Sequence, residues 1–372
     1  MIVSPTRGSI VGLAIGCLLA LSQAGCDEKG SKADSSKKEE RPSASRTAKG
    51  GGGKSLKARL RELDYSTIPF IRKLDGPGLM AHKRKTGMTV CGAAPVALLL
   101  SALSQSGKPI GVKVLDYRTS GDVTGDWENT VSYFSIALYE KPSKKGAPEK
   151  SDEASEPSGN KESAGEARPE RVRAMATGRG WYPKSKGKLE RRLGGYLKKA
   201  DPDEIPGRLV AIISPHAGYA FSGVTAAHGF KLLKKKGRAA GFERVVVLGS
   251  PHRVRLRGIS VAPYTHYDTP LGQMPMDLDA ADALAKRPLY ESVARAHARE
   301  HSVEMQLPFL RYLAPRLRLL ALLVGWVPPA KLATAARPLV ELMDGKTLFV
   351  ASSDFTHRGP RFGYEPLSGL GE

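Results

Sequence analysis

Cysteine is the scarcest informative residue in this 372-residue chain: there are three, Cys17, Cys26 and Cys91. No cysteine-based zinc-finger spacing can be written with them, and no disulfide framework either once the N-terminal segment is set aside. An RNP-like aromatic stretch is missing as well, so the formal net charge of +21 comes without the motifs that usually turn basic charge into nucleic-acid recognition. Nucleic acid is therefore not expected as a partner. The sequence also lacks an apolar run long enough to span a bilayer. Its longest candidate, residues 10–21, is too short for a stable membrane helix.

That short run has a different meaning. Arg7 precedes it, and it ends in 21–26 (LSQAGC). A positive start, a short apolar stretch and small residues before a cysteine are what a signal peptide with a lipobox presents. Residues 1–25 are expected to be a lipoprotein signal peptide, with Cys26 as the lipidated residue. The plainer alternative is an ordinary signal peptide in which Cys26 is incidental. Residues 26–55 are polar and rich in Ser, Lys, Glu and Gly, and read as a tether that cannot bury a core. The chain is thus expected at the bacterial cell envelope, anchored to a membrane on the periplasmic face or at the outer membrane. Its basic charge there would meet anionic lipid or lipopolysaccharide.

A second low-complexity stretch, 141–170, mixes Lys, Glu, Ser, Pro and Gly without hydrophobic period. It reads as a linker between a shorter folded segment, 56–140, and a longer one, 171–372. In the longer segment four apolar runs look like buried strands: 208–214 (RLVAIIS), 244–249 (RVVVLG), 318–325 (RLLALLVG) and 347–352 (TLFVAS). Helical patterns lie between them, over 222–236 with Ser222 as N-cap and over 329–343. Continuous apolar strands alternating with helices predict an α/β domain with a central, mostly parallel sheet flanked by helices. The shorter segment offers a helix over 94–105 and two strand-like runs, 111–117 and 130–139, that read as a hairpin. That is too little core for independence, so both segments are expected to build one domain.

The chemistry-bearing residues cluster just past strand ends. His216 follows the first strand, His252 the second, and Asp354 and His357 the fourth. Ligands bind at the carboxyl ends of parallel strands in such folds, and imidazole with carboxylate is the usual donor set for zinc, iron or copper. A satisfied core histidine is the bland reading of any one of them; three at successive strand ends point to a site. The block 300–310 (EHSVEMQLPFL) carries Glu300, His301 and Glu304. A helix there would place the two glutamates on one face. His301 then reads as a proton-handling group, or the block as a solvated helix start. It is not an HExxH zinc motif, because the second histidine is missing. Cys91 stands just before a helix, where the helix N-terminus favours thiolate; the alternative is a small buried hydrophobe.

Several blocks together resemble the Memo family, also called AmmeMemoRadiSam system protein B. They are 214–219 (SPHAGY), 249–252 (GSPH), 267–272 (YDTPLG), 300–310, 352–357 (SSDFTH) and 361–364 (RFGY). Residues 181–183 (WYP) resemble the start of that family's domain, and 89–92 (TVCG), 117–126 (YRTSGDVTGD) and 131–133 (VSY) its end. The blocks similar to the family's C-terminal part come first here, so the resemblance implies a circularly permuted order. It also implies a fold like that of the class III extradiol dioxygenases, which use non-haem iron. Memo-type proteins are linked to copper or iron through two histidines and a cysteine. By motif these are His216, His252 and Cys91 here, with His357, Asp354 and His301 as candidate catalytic groups beside them. The family often has a second histidine after that of the SPH block; this chain has Arg253. Three functions remain open from sequence: a metal-dependent oxidoreductase, a metal-binding or small-molecule- or peptide-binding lipoprotein without turnover, and a structural lipoprotein.

Overall fold

The structure is a computed structural model that describes residues 55–142, 169–178, 180–234 and 241–365. The expected signal peptide, the lipidation site Cys26 and nearly all of the two polar stretches lie outside these residues. The first segment contains α1 (Leu56–Tyr65), α2 (Ile68–Arg72), α3 (Gly76–Thr86), α4 (Ala93–Gln105), β1 (Ile110–Thr119), α5 (Gly121–Thr124) and β2 (Thr130–Glu140). The second begins with β3 (Val172–Arg173), α6 (Lys186–Lys199), β4 (Arg208–Ser214), α7 (Tyr219–Lys234), β5 (Arg244–Gly249), β6 (Ile259–Val261), β7 (His266–Tyr267) and β8 (Met274–Pro275). It continues with α8 (Leu278–Ala285), β9 (Tyr290–Glu291), α9 (Ala294–Ala298), α10 (Leu307–Leu313), β10 (Arg318–Val324), α11 (Leu332–Val340), β11 (Thr347–Ser352) and β12 (His357–Arg358).

Four strands expected from their apolar runs form the parallel centre of the main sheet, in the order β4-β11-β5-β10. The flanks are mixed. On one side β2 pairs antiparallel with β4 and β1 pairs antiparallel with β2; on the other, β6 runs antiparallel to β10, and β9 parallel to β6. The short β12 adds to β2. The shorter segment therefore completes the sheet of the longer one through the β2–β4 ladder, and the whole is one α/β domain.

Alternation along each central strand explains why both faces carry helices. In β5, Val246 and Leu248 point into a core shared with α3, α4, α8 and α11, while Val245 and Val247 point into another shared with α6, α7 and α10. Helix α4 is apolar almost throughout, and Val96, Leu98, Leu99 and Leu100 are fully buried. At about 1.5–3 kcal/mol for each large apolar side chain, this one helix accounts for much of the attachment of the shorter segment. Helix α7 comes close to the sheet because Gly229 has no side chain: a Cβ there would lie 2.6 Å from Ile212 Cγ2.

Three local expectations are corrected. Ser222 does not cap a helix; α7 begins at Tyr219, and the Ser222 hydroxyl donates back to the Ala217 carbonyl at 2.8 Å. The helix expected over 329–343 is a single 3₁₀ turn, Pro329–Lys331, followed by α11, because prolines at 328 and 329 hold the entry. Block 300–310 is a loop, a short 3₁₀ turn at Glu304–Gln306 and then α10, so Glu300 and Glu304 share no helix face. Nor is either solvated: both are buried, in separate networks. Among the described residues no helix is long and apolar enough to cross a membrane.

Candidate metal centre

Three adjacent strands, β4, β11 and β5, deliver the site. Past their carboxyl ends lie His216, then Ser353 and Asp354, then His252, as the chain order predicts. The fourth element is the loop before α4, which brings Cys91 from the other segment. Its docking is specific. Gly92 packs so tightly on Ser353 that a Cβ would fall 2.2 Å from Ser353 Cβ, and the Ser250 hydroxyl donates to the Cys91 carbonyl at 2.8 Å. Cys91 Sγ then lies 3.0 Å from His216 Nε2.

Donor atoms of Cys91, His216 and His252 lie within 4.8 Å of one another, and so do those of Cys91, Asp354 and His357, and of His252, Glu300 and His301. Five of the six residues assigned to the site from sequence thus enter one of two overlapping clusters around Cys91, and His301 adjoins through its stack on His252, with ring centroids 4.4 Å apart. His301 is also flanked by Trp181 at 4.6 Å.

The hydrogen-bond network assigns the imidazole protons. The Ser352 hydroxyl donates to the Ser302 carbonyl at 2.7 Å, so its oxygen can only accept from His216 Nδ1, 2.9 Å away, and from Gln306 Nε2 at 2.8 Å. His216 therefore carries its proton on Nδ1 and presents a lone pair on Nε2. His252 Nδ1 donates to the Glu300 carboxylate at 2.8 Å, freeing its Nε2 in the same way. His357 Nδ1 faces two carbonyl oxygens, of Thr89 at 3.0 Å and Phe355 at 2.9 Å, and must be protonated there too. Three histidines are thus held with Nε2 available as a donor atom.

Electrostatics keep His216 and His301 neutral. Burial, with the neighbouring His252, holds His216 well below the usual imidazole range, and burial pulls His301 down to about 3. Burial would raise Glu300, but the hydrogen bond from His252, the two neighbouring imidazoles and the Ser302 N–H outweigh it and hold the carboxyl well below its ordinary range. Cys91 corrects an expectation. Burial and the nearby Asp354 push the thiol well above its ordinary value, overriding the helix N-terminus expected to favour thiolate. The S–H donates to His216 Nε2, so one proton sits between these two donor atoms. Asp354 is buried, which raises its carboxyl, and its Oδ1 accepts the backbone N–H of His216 at 2.8 Å and of Ala217 at 3.3 Å. It fixes the loop that carries His216.

Sequence reasoning missed the groups beneath the site. Arg173 is fully buried and reaches Glu304, the carbonyl of Glu300 and, at 3.1 Å, that of His297. Glu304 also accepts from Tyr182 and from Thr177 Oγ1, each at 2.6 Å. This network pins the loop holding Glu300 and His301. Nothing in the basic run around Arg173 marks it as buried; only the pairing partner, 131 residues away, does. Ser352 and Gln306 were equally invisible, being ordinary polar residues inside recognised blocks.

The chain matches the family described as Memo-like protein over residues 42–137 and 173–369. The Protein memo-1 homolog of Caenorhabditis elegans is 35% identical over 201 residues, covering 53% of this chain and 56% of that protein. A MEMO1 family protein of Thermococcus onnurineus is 34% identical over 168 residues, covering 43% of this chain and 57% of its own length. Protein MEMO1 of Xenopus laevis is 34% identical over 190 residues, covering 50% and 62%. The aligned stretch spans little more than half the length of these relatives. With both folded segments matched and assembled on one sheet, the chain belongs to the Memo-like protein family.

Proposed function

We propose that this protein binds a redox-active metal, iron or copper, on Cys91, His216 and His252, and acts as a metal-dependent oxidoreductase. The observation that carries the reading is the convergence of Cys91 Sγ, His216 Nε2 and an Nε2-available His252 within one pocket, each imidazole fixed through Nδ1. Two imidazoles and a thiol suit copper or iron better than magnesium or calcium, which take oxygen donors. The bound metal would supply one-electron chemistry or activation of oxygen at its open positions.

The chain's own groups supply the rest. His357 presents Nε2 as a base, its Nδ1 proton held by the Thr89 and Phe355 carbonyls, and can take a proton from a substrate beside Cys91 and Asp354. His301, held neutral between Trp181 and His252, is a second acceptor. Glu300 orients His252, and Asp354 orients the backbone of His216.

The test is turnover. Metal-loaded protein should consume oxygen or an artificial electron acceptor in the presence of substrate, and His357→Ala should abolish the rate while retaining the metal. Full metal binding with no turnover across a panel of small acids, phenols and peptides would favour a binding protein instead. We further propose that the segment order is a circular permutation, because the blocks that resemble the family's C-terminal part come first in this chain. A chain with 171–365 placed before 56–140 should then fold and bind metal equally. Envelope anchoring through Cys26 is proposed from the lipobox-like 21–26; palmitate labelling that persists in Cys26→Ser would refute it.

A further inference from the structure

A cavity of about 680 Å³ opens beside the metal centre, and Cys91, Ser250 and His252 form part of its lining. Its volume is that of a small-molecule site. Val254, Leu256, Val324, Val327 and Leu332 give it an apolar wall, and the Trp326 indole, 60% exposed, stands at its margin. The exposed face of this ring offers a ligand apolar surface to cover.

The charges around this wall have one sign. Arg84, Arg255 and Arg257 line the cavity, no Asp or Glu does, and all three arginines are exposed. Guanidinium groups beside an apolar trough match a ligand with a carboxylate or phosphate head and a hydrocarbon body. The loop 252–257 ties the two features together, since it starts at His252 of the metal centre and ends at Arg257.

We propose that this cavity is the substrate site of the metal centre and takes a small amphipathic anion, whose reactive carbon lies toward Cys91 and His252. The word substrate rests on the metal-centre reading above; the binding itself does not.

The test uses laurate and dodecyl phosphate below their micelle concentrations, titrated calorimetrically into the metal-free protein. At least one should bind saturably at one per chain. The Arg255→Ala/Arg257→Ala variant, whose changes are at exposed positions, should weaken it by about tenfold or more, as should replacing the head by the alcohol of dodecanol. Trp326→Ala should weaken it as well. Binding of dodecanol or dodecyltrimethylammonium as tight as that of laurate would overturn the proposal. So would binding to anionic phosphatidylglycerol vesicles with neither monomeric anion bound. In copper-loaded protein, adding the bound anion should shift the visible absorption in the parent and not in the double arginine variant. An anion that binds without moving that spectrum would overturn the link to the metal. Metal content, measured separately, shows whether the metal-centre reading itself has failed.

Discussion

Glu304→Gln is the substitution whose cost the structure specifies most closely. Glu304 and Arg173 form an ion pair with side chains 0% and 1% exposed. The carboxylate also accepts the Ala176 N–H at 2.8 Å, the Thr177 N–H at 3.2 Å and two hydroxyls. A neutral amide leaves the Arg173 charge buried without its counter-ion and turns an N–H₂ toward donors. Removing one partner of such a pair costs about 3–5 kcal/mol, which for a domain of this size is a fall in Tm of roughly 5–9 °C. Urea unfolding of the parent, Glu304→Gln, Arg173→Met and the double variant would measure it as a cycle. The double variant should be more stable than the sum of single losses implies, because no lone charge remains. The pair also sets a pH dependence. Burial raises Glu304, but Arg173 and the hydroxyl and N–H donors outweigh it, so the folded value lies below the ordinary 4.5. A carboxyl depressed by folding contributes stability above its unfolded value and loses it as pH falls through the folded one. The gap between parent and Glu304→Gln should therefore be full at pH 6 and close as pH drops below 4.5. A loss under about 1 kcal/mol at neutral pH, the range of an exposed pair, would refute the reasoning.

Two further outcomes follow from the site's geometry. Ser352→Ala removes the acceptor of His216 Nδ1, leaving the tautomer unfixed; metal affinity in a competition titration should fall about 10–100-fold, and a change under about twofold would contradict the assigned network. Gly92→Ala forces a Cβ into Ser353 and should cost about 1–3 kcal/mol, with lower metal occupancy because the Cys91 loop must lift; unchanged occupancy and stability would show that the loop has slack.

Much of this was legible in the sequence for identifiable reasons. Unbroken runs such as RVVVLG at 244–249 admit no half-exposed strand, so the parallel centre followed from them. Histidines one to three residues past such runs could only lie at the carboxyl edge, and His216 and His252 do. What failed depended on contacts far apart in the chain. The state of Cys91 is set by its burial and by Asp354, 263 residues on, rather than by its own helix. A solvated helix start stayed open as one reading of the glutamates of 300–310 because their partners, His252 and Arg173, are remote. The antiparallel β1–β2 hairpin was expected, but how it joins the sheet was hidden, since nothing local states that β2 enters antiparallel to β4.

The most direct test of the central claim is the metal content of the purified protein by elemental analysis, beside His216→Ala and Cys91→Ser. The account predicts near-stoichiometric iron or copper in the parent and its loss in both variants, although the two residues come from different segments. A folded parent that takes up neither metal, even on anaerobic reconstitution, would contradict it.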